Sequence, residues 1–106
     1  MVTAEQIRAG KQLAEAAGLA MYQRIGERDA CGFGWVEVVV DRTNSKQAKE
    51  LLAAGFRKDY KPKTLSMWDP AGVPTQSISV KEAGAQAYAT YLQALGLRAY
   101  AGSRLD

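Results

Sequence analysis

The chain has no histidine, one cysteine and three prolines in 106 residues. Without histidine it can form no Ser-His-Asp or Cys-His pair and no imidazole metal site. A single cysteine, Cys31, excludes an intrachain disulfide and any thiolate zinc or iron–sulfur cage within one chain. It also fits a reducing compartment. No G-x-x-x-x-G-K-[ST] phosphate loop is present. Gly32-Phe33-Gly34 is a lone GxG that enters a strand rather than opening a helix, so it is no dinucleotide fingerprint. No run approaches the ~20 apolar residues of a membrane helix. The first 26 residues carry Glu5, Arg8, Lys11 and Glu15 where the apolar core of a signal peptide would lie. The expectations are a cytoplasmic protein with no membrane contact, no cofactor and no metal.

What is present suits one domain over 1–106, since a chain this long buries roughly 65% of its unfolded surface and needs no staple. The 14 Lys+Arg against 11 Asp+Glu leave a mild net charge of +3, which permits an anionic partner without demanding one. Basic residues bunch in Arg57-Lys58-Asp59-Tyr60-Lys61-Pro62-Lys63, which reads as a solvated hairpin. Lys58, Lys61 and Lys63 are the candidates to steer phosphates.

Thr3-Ala4-Glu5-Gln6 has the spacing of a capping box, with Val2 and Ile7 at the staple positions. A helix is predicted from there to Ile25, ended by Gly26. Ile7, Gly10, Ala14, Ala17, Met21 and Ile25 form its stripe, rich in small residues that allow close approach. Phe33 to Val40 is β-branched and aromatic and predicts a strand. Asn44 or Ser45 caps a second helix over 46–54, ended by Gly55. Phe56 to Tyr60 and Thr64 to Trp68 read as extended, and Asp69 to Pro74 as a loop. Thr75 to Ile78 is a candidate short strand. Ser79-Val80-Lys81-Glu82 is a second capping box, opening a helix to Leu95 with Ala85, Tyr88, Ala89, Leu92 and Leu95 on its apolar side. Gly96 and Leu97 then sit as in a Schellman ending, and a last strand covers 97–101.

The expected class is α+β: a leading helix over 1–26, then a ferredoxin-like βαββαβ core over 33–106 with an antiparallel sheet and two crossover helices on one face. Period 2 sorts that sheet. Val36, Val38 and Val40 are expected to face the crossover helices. Phe33, Trp35, Glu37 and Val39 take the other face. Arg98 and Tyr100 join them if Leu97, Ala99 and Ala101 turn inward.

Glu37 interrupts an apolar strand, so it is expected on the sheet face away from the crossover helices or bonded to a basic neighbour. The alternative is a ligand-directed carboxylate, with Arg98 or Arg104 as the candidate ion-pair partner. Aromatics with arginine on a free sheet face suit stacking of single-stranded nucleic acid. The competing expectation is that the leading helix, or a second subunit, covers this face. The string typical of RNA-recognition domains is absent. Cys31, at the strand entrance beside Arg28 and Asp29, is expected to be a small buried hydrophobe; the alternative is a nucleophile aided by Arg28, with no histidine to act as its base. The tail, Ala99 to Asp106, reads either as a loose terminus or as a fold-back with Arg104 paired to an acid and Asp106 adding its terminal carboxylate. Gln76 and Ser77 read as ordinary edge-strand polar residues.

Two stretches resemble known sequences. Cys31-Gly32-Phe33-Gly34-Trp35-Val36 resembles a CGFxWV pattern. Gln76-Ser77, Lys81-Glu82-Ala83, Ala87-Tyr88-Ala89 and the closing Ala99 to Asp106 resemble a QS…EAxAxA…AxxGSRxD pattern. Together they resemble a group of small uncharacterised bacteriophage and prophage proteins. The resemblance implies a phage context and a host-cell cytoplasm, and carries no catalytic role. By analogy with small phage proteins it implies binding to a host or defence component. Three expectations follow, all non-enzymatic. One is a phage-type, anti-defence binder of a host protein, as monomer or homodimer, using Phe33, Trp35, Glu37, Arg98, Tyr100 and Arg104. Another is a nucleic-acid-binding module using the aromatic face. The last is a homo-oligomer binding a nucleotide or small anion, with Arg104 as anion ligand.

Overall fold

A computed structural model describes residues 1–106. Three helices and four strands run in the order α1 (Ala4–Ile25), β1 (Gly32–Val39), α2 (Lys46–Ala53), β2 (Arg57–Lys58), β3 (Thr64–Trp68), α3 (Ile78–Ala94) and β4 (Arg98–Leu105). The strands form one sheet in the order β2-β3-β1-β4, and every neighbouring pair is antiparallel. The α+β class and the leading helix are as expected. No helix is long and apolar enough to cross a membrane.

Local chemistry sets most element ends. At α1 the Thr3 hydroxyl accepts from the Gln6 N–H at 3.2 Å, and the Gln6 side chain accepts from the Thr3 N–H at 2.9 Å. Two orphan donors are satisfied reciprocally. Helices α2 and α3 close alike. Phe56 and Gly55 donate back to Leu51 and Leu52, and Leu97 and Gly96 to Leu92 and Gln93. Both are Schellman endings, and each needs its glycine in the left-handed region, with φ of 106° at Gly55 and 96° at Gly96.

Val36 and Val38 are fully buried on the helix side of β1, with Leu65 of β3 and Ala99 of β4 beside them. Ala85, Tyr88, Ala89 and Leu92 of α3 and Ala48 and Leu51 of α2 close the core over them. Phe56 meets Tyr88 edge to face at 5.6 Å between ring centroids. Burying such side chains contributes roughly 1.5–3 kcal/mol each.

Helix α1 does not cover the other sheet face. It packs on α3 and α2, and its backbone comes near no strand. The small-residue stripe explains the choice, because it fits a helix surface. Gly10 sits where an added Cβ would strike the rings of Tyr88 and Tyr91 at 2.6 Å. The Tyr88 hydroxyl donates to the Ile7 carbonyl at 2.7 Å, and burial holds that phenol protonated far above its ordinary range. Helix α2 completes the grip. Glu50 accepts from the Ala4 N–H, and the Gln47 amide bonds both the N–H and the C=O of Val2.

Three further expectations are corrected. Thr75 to Ile78 forms no strand, only an isolated bridge between Cys31 and Ser77. Ser77, not Ser79, caps α3, because the Asp29 carboxylate accepts from the Ser77 hydroxyl at 2.6 Å and the Ser79 N–H at 2.8 Å. The chain end is neither loose nor folded back. It extends β4 to Leu105, since the first half of β1 needs a partner and pairs Gly32 with Leu105 and Phe33 with Arg104.

Candidate functional site

With all three helices on one side, the opposite sheet face stands uncovered. Burial alternates along β1, with Phe33, Trp35, Glu37 and Val39 only half-buried. The antiparallel register fixes their neighbours. Trp35 lies between Trp68 and Gly102, Glu37 between Ser66 and Tyr100, and Val39 between Thr64 and Arg98. Tyr100 and Arg98 therefore share the face with Phe33 and Trp35, as expected. Both are exposed.

The aromatics gather at one end. Trp35 and Trp68 stack with centroids 4.6 Å apart and planes at 25°. Phe33 meets Trp68 edge to face at 6.0 Å. Offset stacks and edge contacts are the arrangements the ring quadrupole prefers. The Arg104 guanidinium lies 5.2 Å from the Phe33 centroid and 5.9 Å from that of Trp68, within cation–π range. Trp68 remains 47% exposed, so its ring is available to a further stacking partner.

Glu37 pairs with neither arginine. Lys61, reaching over from the β2–β3 turn, donates to both its oxygens at 3.2 and 3.3 Å. The Trp35 indole N–H donates to the same carboxylate at 3.1 Å, which locks the ring's direction. Glu37 in turn raises the Lys61 ammonium pKa, first by hydrogen bonding and then by charge. Arg98 instead approaches the exposed Asp41 at 3.9 Å, an ion pair of little energetic weight. These two are the protein's ion pairs, so Arg104, Arg57, Lys58 and Lys63 have no acidic partner.

Of the three expected steering lysines, only Lys61 reaches the aromatic cluster. Lys58 pairs with Leu65, whose face turns to the helices. Lys63 lines a separate hollow with Arg42, Thr43, Asn44 and Pro62. Cys31 is exposed rather than buried; it stands one residue before β1, where its backbone is held by an isolated bridge but no element covers its side chain. The quoted sequence stretches converge on this end of the sheet: Cys31 bridges Ser77, its carbonyl accepts from the Asp106 N–H, and Gly32 donates to Gln76.

Sequence reasoning missed Trp68, Asp59, Tyr60 and Lys81. The first three and Lys61 join Trp35 and Arg104 around a cavity of about 340 Å³. Its lining joins the Trp35 and Trp68 rings, the β2–β3 turn and Arg104 of β4. Lys81 is buried behind Phe33, where its ammonium donates to the Gly32 carbonyl at 3.1 Å and lies 5.5 Å from the ring centroid. Phe33 thus has two cations about it. The only signal for Trp68 was its place at the end of a strand. Its register against Trp35 was not readable.

No protein-family model matches the chain, and neither a curated protein nor a solved structure shows significant similarity to it.

Proposed function

We propose that this protein binds single-stranded nucleic acid on the helix-free face of its sheet. The observation that carries the reading is Trp68, half exposed on the Trp35 ring, beside an Arg104 guanidinium with no acidic partner. Stacking on an aromatic contributes about 1–3 kcal/mol per base and tolerates any sequence. Arg104 and Arg57 supply unneutralised positive charge for the backbone. Arg98 and Arg104 mark the two ends of an eight-residue β4, roughly 20 Å apart at about 3.4 Å per residue. That length suits a short run of nucleotides. The face would recognise and not react.

The strand order supports reading the fold as ferredoxin-like. Taken from the other edge it is β4-β1-β3-β2, and both β-α-β connections pass over one intervening strand.

The test is a titration with a short single-stranded oligonucleotide over a salt series, read by tryptophan quenching. The expected result is binding whose log K falls with log salt by about 0.7 per neutralised phosphate. No binding at low salt overturns the reading. Tryptophan, tyrosine and arginine also anchor protein interfaces. A host or defence protein, or a second copy of this chain, is then the occupant to seek.

A further inference from the structure

The cavity beside Trp68 is more particular than a stacking surface requires. It holds about 340 Å³, near the lower limit of ligand pockets, which run roughly 300–1,000 Å³. That is room for one nucleotide unit, not for a strand. A groove that only follows a phosphate backbone is lined by cations, because carboxylates repel phosphate. This cavity has a carboxylate in its lining, Asp59, with Lys61 two residues on, and a guanidinium, Arg104. Asp59 follows the edge strand β2 and Arg104 stands on the opposite edge strand β4, so acceptor and guanidinium come to the cavity from opposite sides of the sheet. The arginine side suits a phosphate and the Asp59 side suits the edge of a base.

Asp59 is placed to accept. Its Oδ1 takes the Tyr60 N–H at 2.7 Å, and its Oδ2 takes no hydrogen bond from the chain. Its own N–H is spent on the Thr64 carbonyl at 3.0 Å, which holds the turn. An ionised carboxylate accepts only, so it favours a base edge that presents N–H donors. Lys61 beside it spends two bonds on Glu37 and has a third N–H to give to an acceptor on the same edge. Tyr60 is 88% exposed at the tip, free to lie on a base that stacks on Trp68.

We propose that Asp59, Tyr60, Lys61, Trp68 and Arg104 form a one-nucleotide slot that reads the exocyclic amino group of a base. It takes cytosine, adenine or guanine in preference to uracil or thymine. This rests on the nucleic-acid reading above and adds base selection to it. In the pose that sets the amino group of cytosine on Asp59, uracil or thymine places O4 there, acceptor against acceptor, and its N3–H lies one position further along the edge.

Cytosine and uracil share ring size and differ there in one substituent, so the test compares oligodeoxycytidine with oligodeoxyuridine of equal length. The expected result is about tenfold tighter binding of the cytidine oligomer to the wild type, as one such contact discriminates. Asp59→Asn keeps an acceptor for the Tyr60 N–H and adds a donor. It should bring the two affinities within about twofold while the circular dichroism stays that of the wild type. Equal wild-type affinities for the two oligomers overturn the slot and leave the stacking face standing. So does an unchanged preference in Asp59→Asn. Failure to bind either oligomer overturns the nucleic-acid reading and the slot together.

Discussion

The indole of Trp35 occupies the space above Gly102 that any side chain at that position would need. A Cβ built there falls 2.5 Å from the ring atoms Cζ2 and Nε1. The glycine weakens β4 locally, and the ring laid over it restores the lost contact. Trp35 is thereby held against both neighbours, Gly102 on one side and the Trp68 ring on the other.

Gly102→Ala is accordingly expected to push the Trp35 ring off β4 and break the stack on Trp68. Overpacking of this kind costs about 1–3 kcal/mol. Urea unfolding measures the loss. The near-ultraviolet circular dichroism of the paired indoles should fall at the same time. A full-strength indole signal in the variant would show that the ring does not depend on the glycine.

Trp68→Ala and Arg104→Ala should weaken oligonucleotide binding in distinguishable ways. Loss of the stacking ring costs about 1–3 kcal/mol and leaves the salt slope unchanged. Loss of the guanidinium lowers affinity and reduces the slope by about 0.7. Arg104→Lys keeps the slope but not the whole affinity, since an ammonium lacks the planar face that lies over Phe33 and Trp68.

Replacing a helix-interior glycine with alanine ordinarily stabilises by about 1 kcal/mol. At Gly84 the sign should reverse. An added Cβ lies 2.6 Å from the Ala71 methyl and 3.2 Å from the Ala14 carbonyl, and Gly18 of α1 meets the same methyl at 2.5 Å. The Ala71 methyl fills a slot made by two glycines on two helices. Gly84→Ala should therefore lower the melting temperature, and adding Ala71→Gly should recover part of the loss. A coupling of about 0.5–3 kcal/mol in the double-mutant cycle is the measurable signature.

The Asp29 carboxyl is held down at about 2, below its ordinary 3.8, chiefly by the Ser77 hydroxyl and then by the Ser79 backbone N–H. A depressed folded value means that the unfolded chain binds the proton more readily. Asp29 thus stabilises the protein in full above about pH 4, and the contribution fades as pH falls from 3.8 towards 2. Asp29→Asn should melt below the wild type at neutral pH, with the difference shrinking across that acid window. Thermal unfolding at a series of pH values measures it, and a constant difference would assign the effect to something other than the carboxylate's charge.

Much of the scaffold was legible because it is encoded over three to five residues. The Thr3 and Gln6 box, the Gly55 and Gly96 terminators and the alternation along β1 are local, and each stands within a residue or two of its expected place. The shared face of Phe33, Trp35 and Glu37 followed from period 2, and the register of β4 against β1 put Arg98 and Tyr100 on it, as expected if Ala99 turns inward. The α3 cap was misplaced by two residues because Ser77 and Ser79 both suit the role, and Asp29, distant in sequence, chooses between them.

By itself, then, the sequence determined the three helices and where they stop, the central strand β1, and which of that strand's side chains share a side of the sheet. The tertiary structure alone decided that α1 lies on α3 and leaves the sheet bare, that Lys61 rather than an arginine neutralises Glu37, and that Trp68 lands on Trp35. The physical reason is one of range. Caps, turns and alternation depend on dihedral angles and hydrogen bonds between near neighbours, whereas strand register and helix docking depend on shape and charge matched across tens of residues.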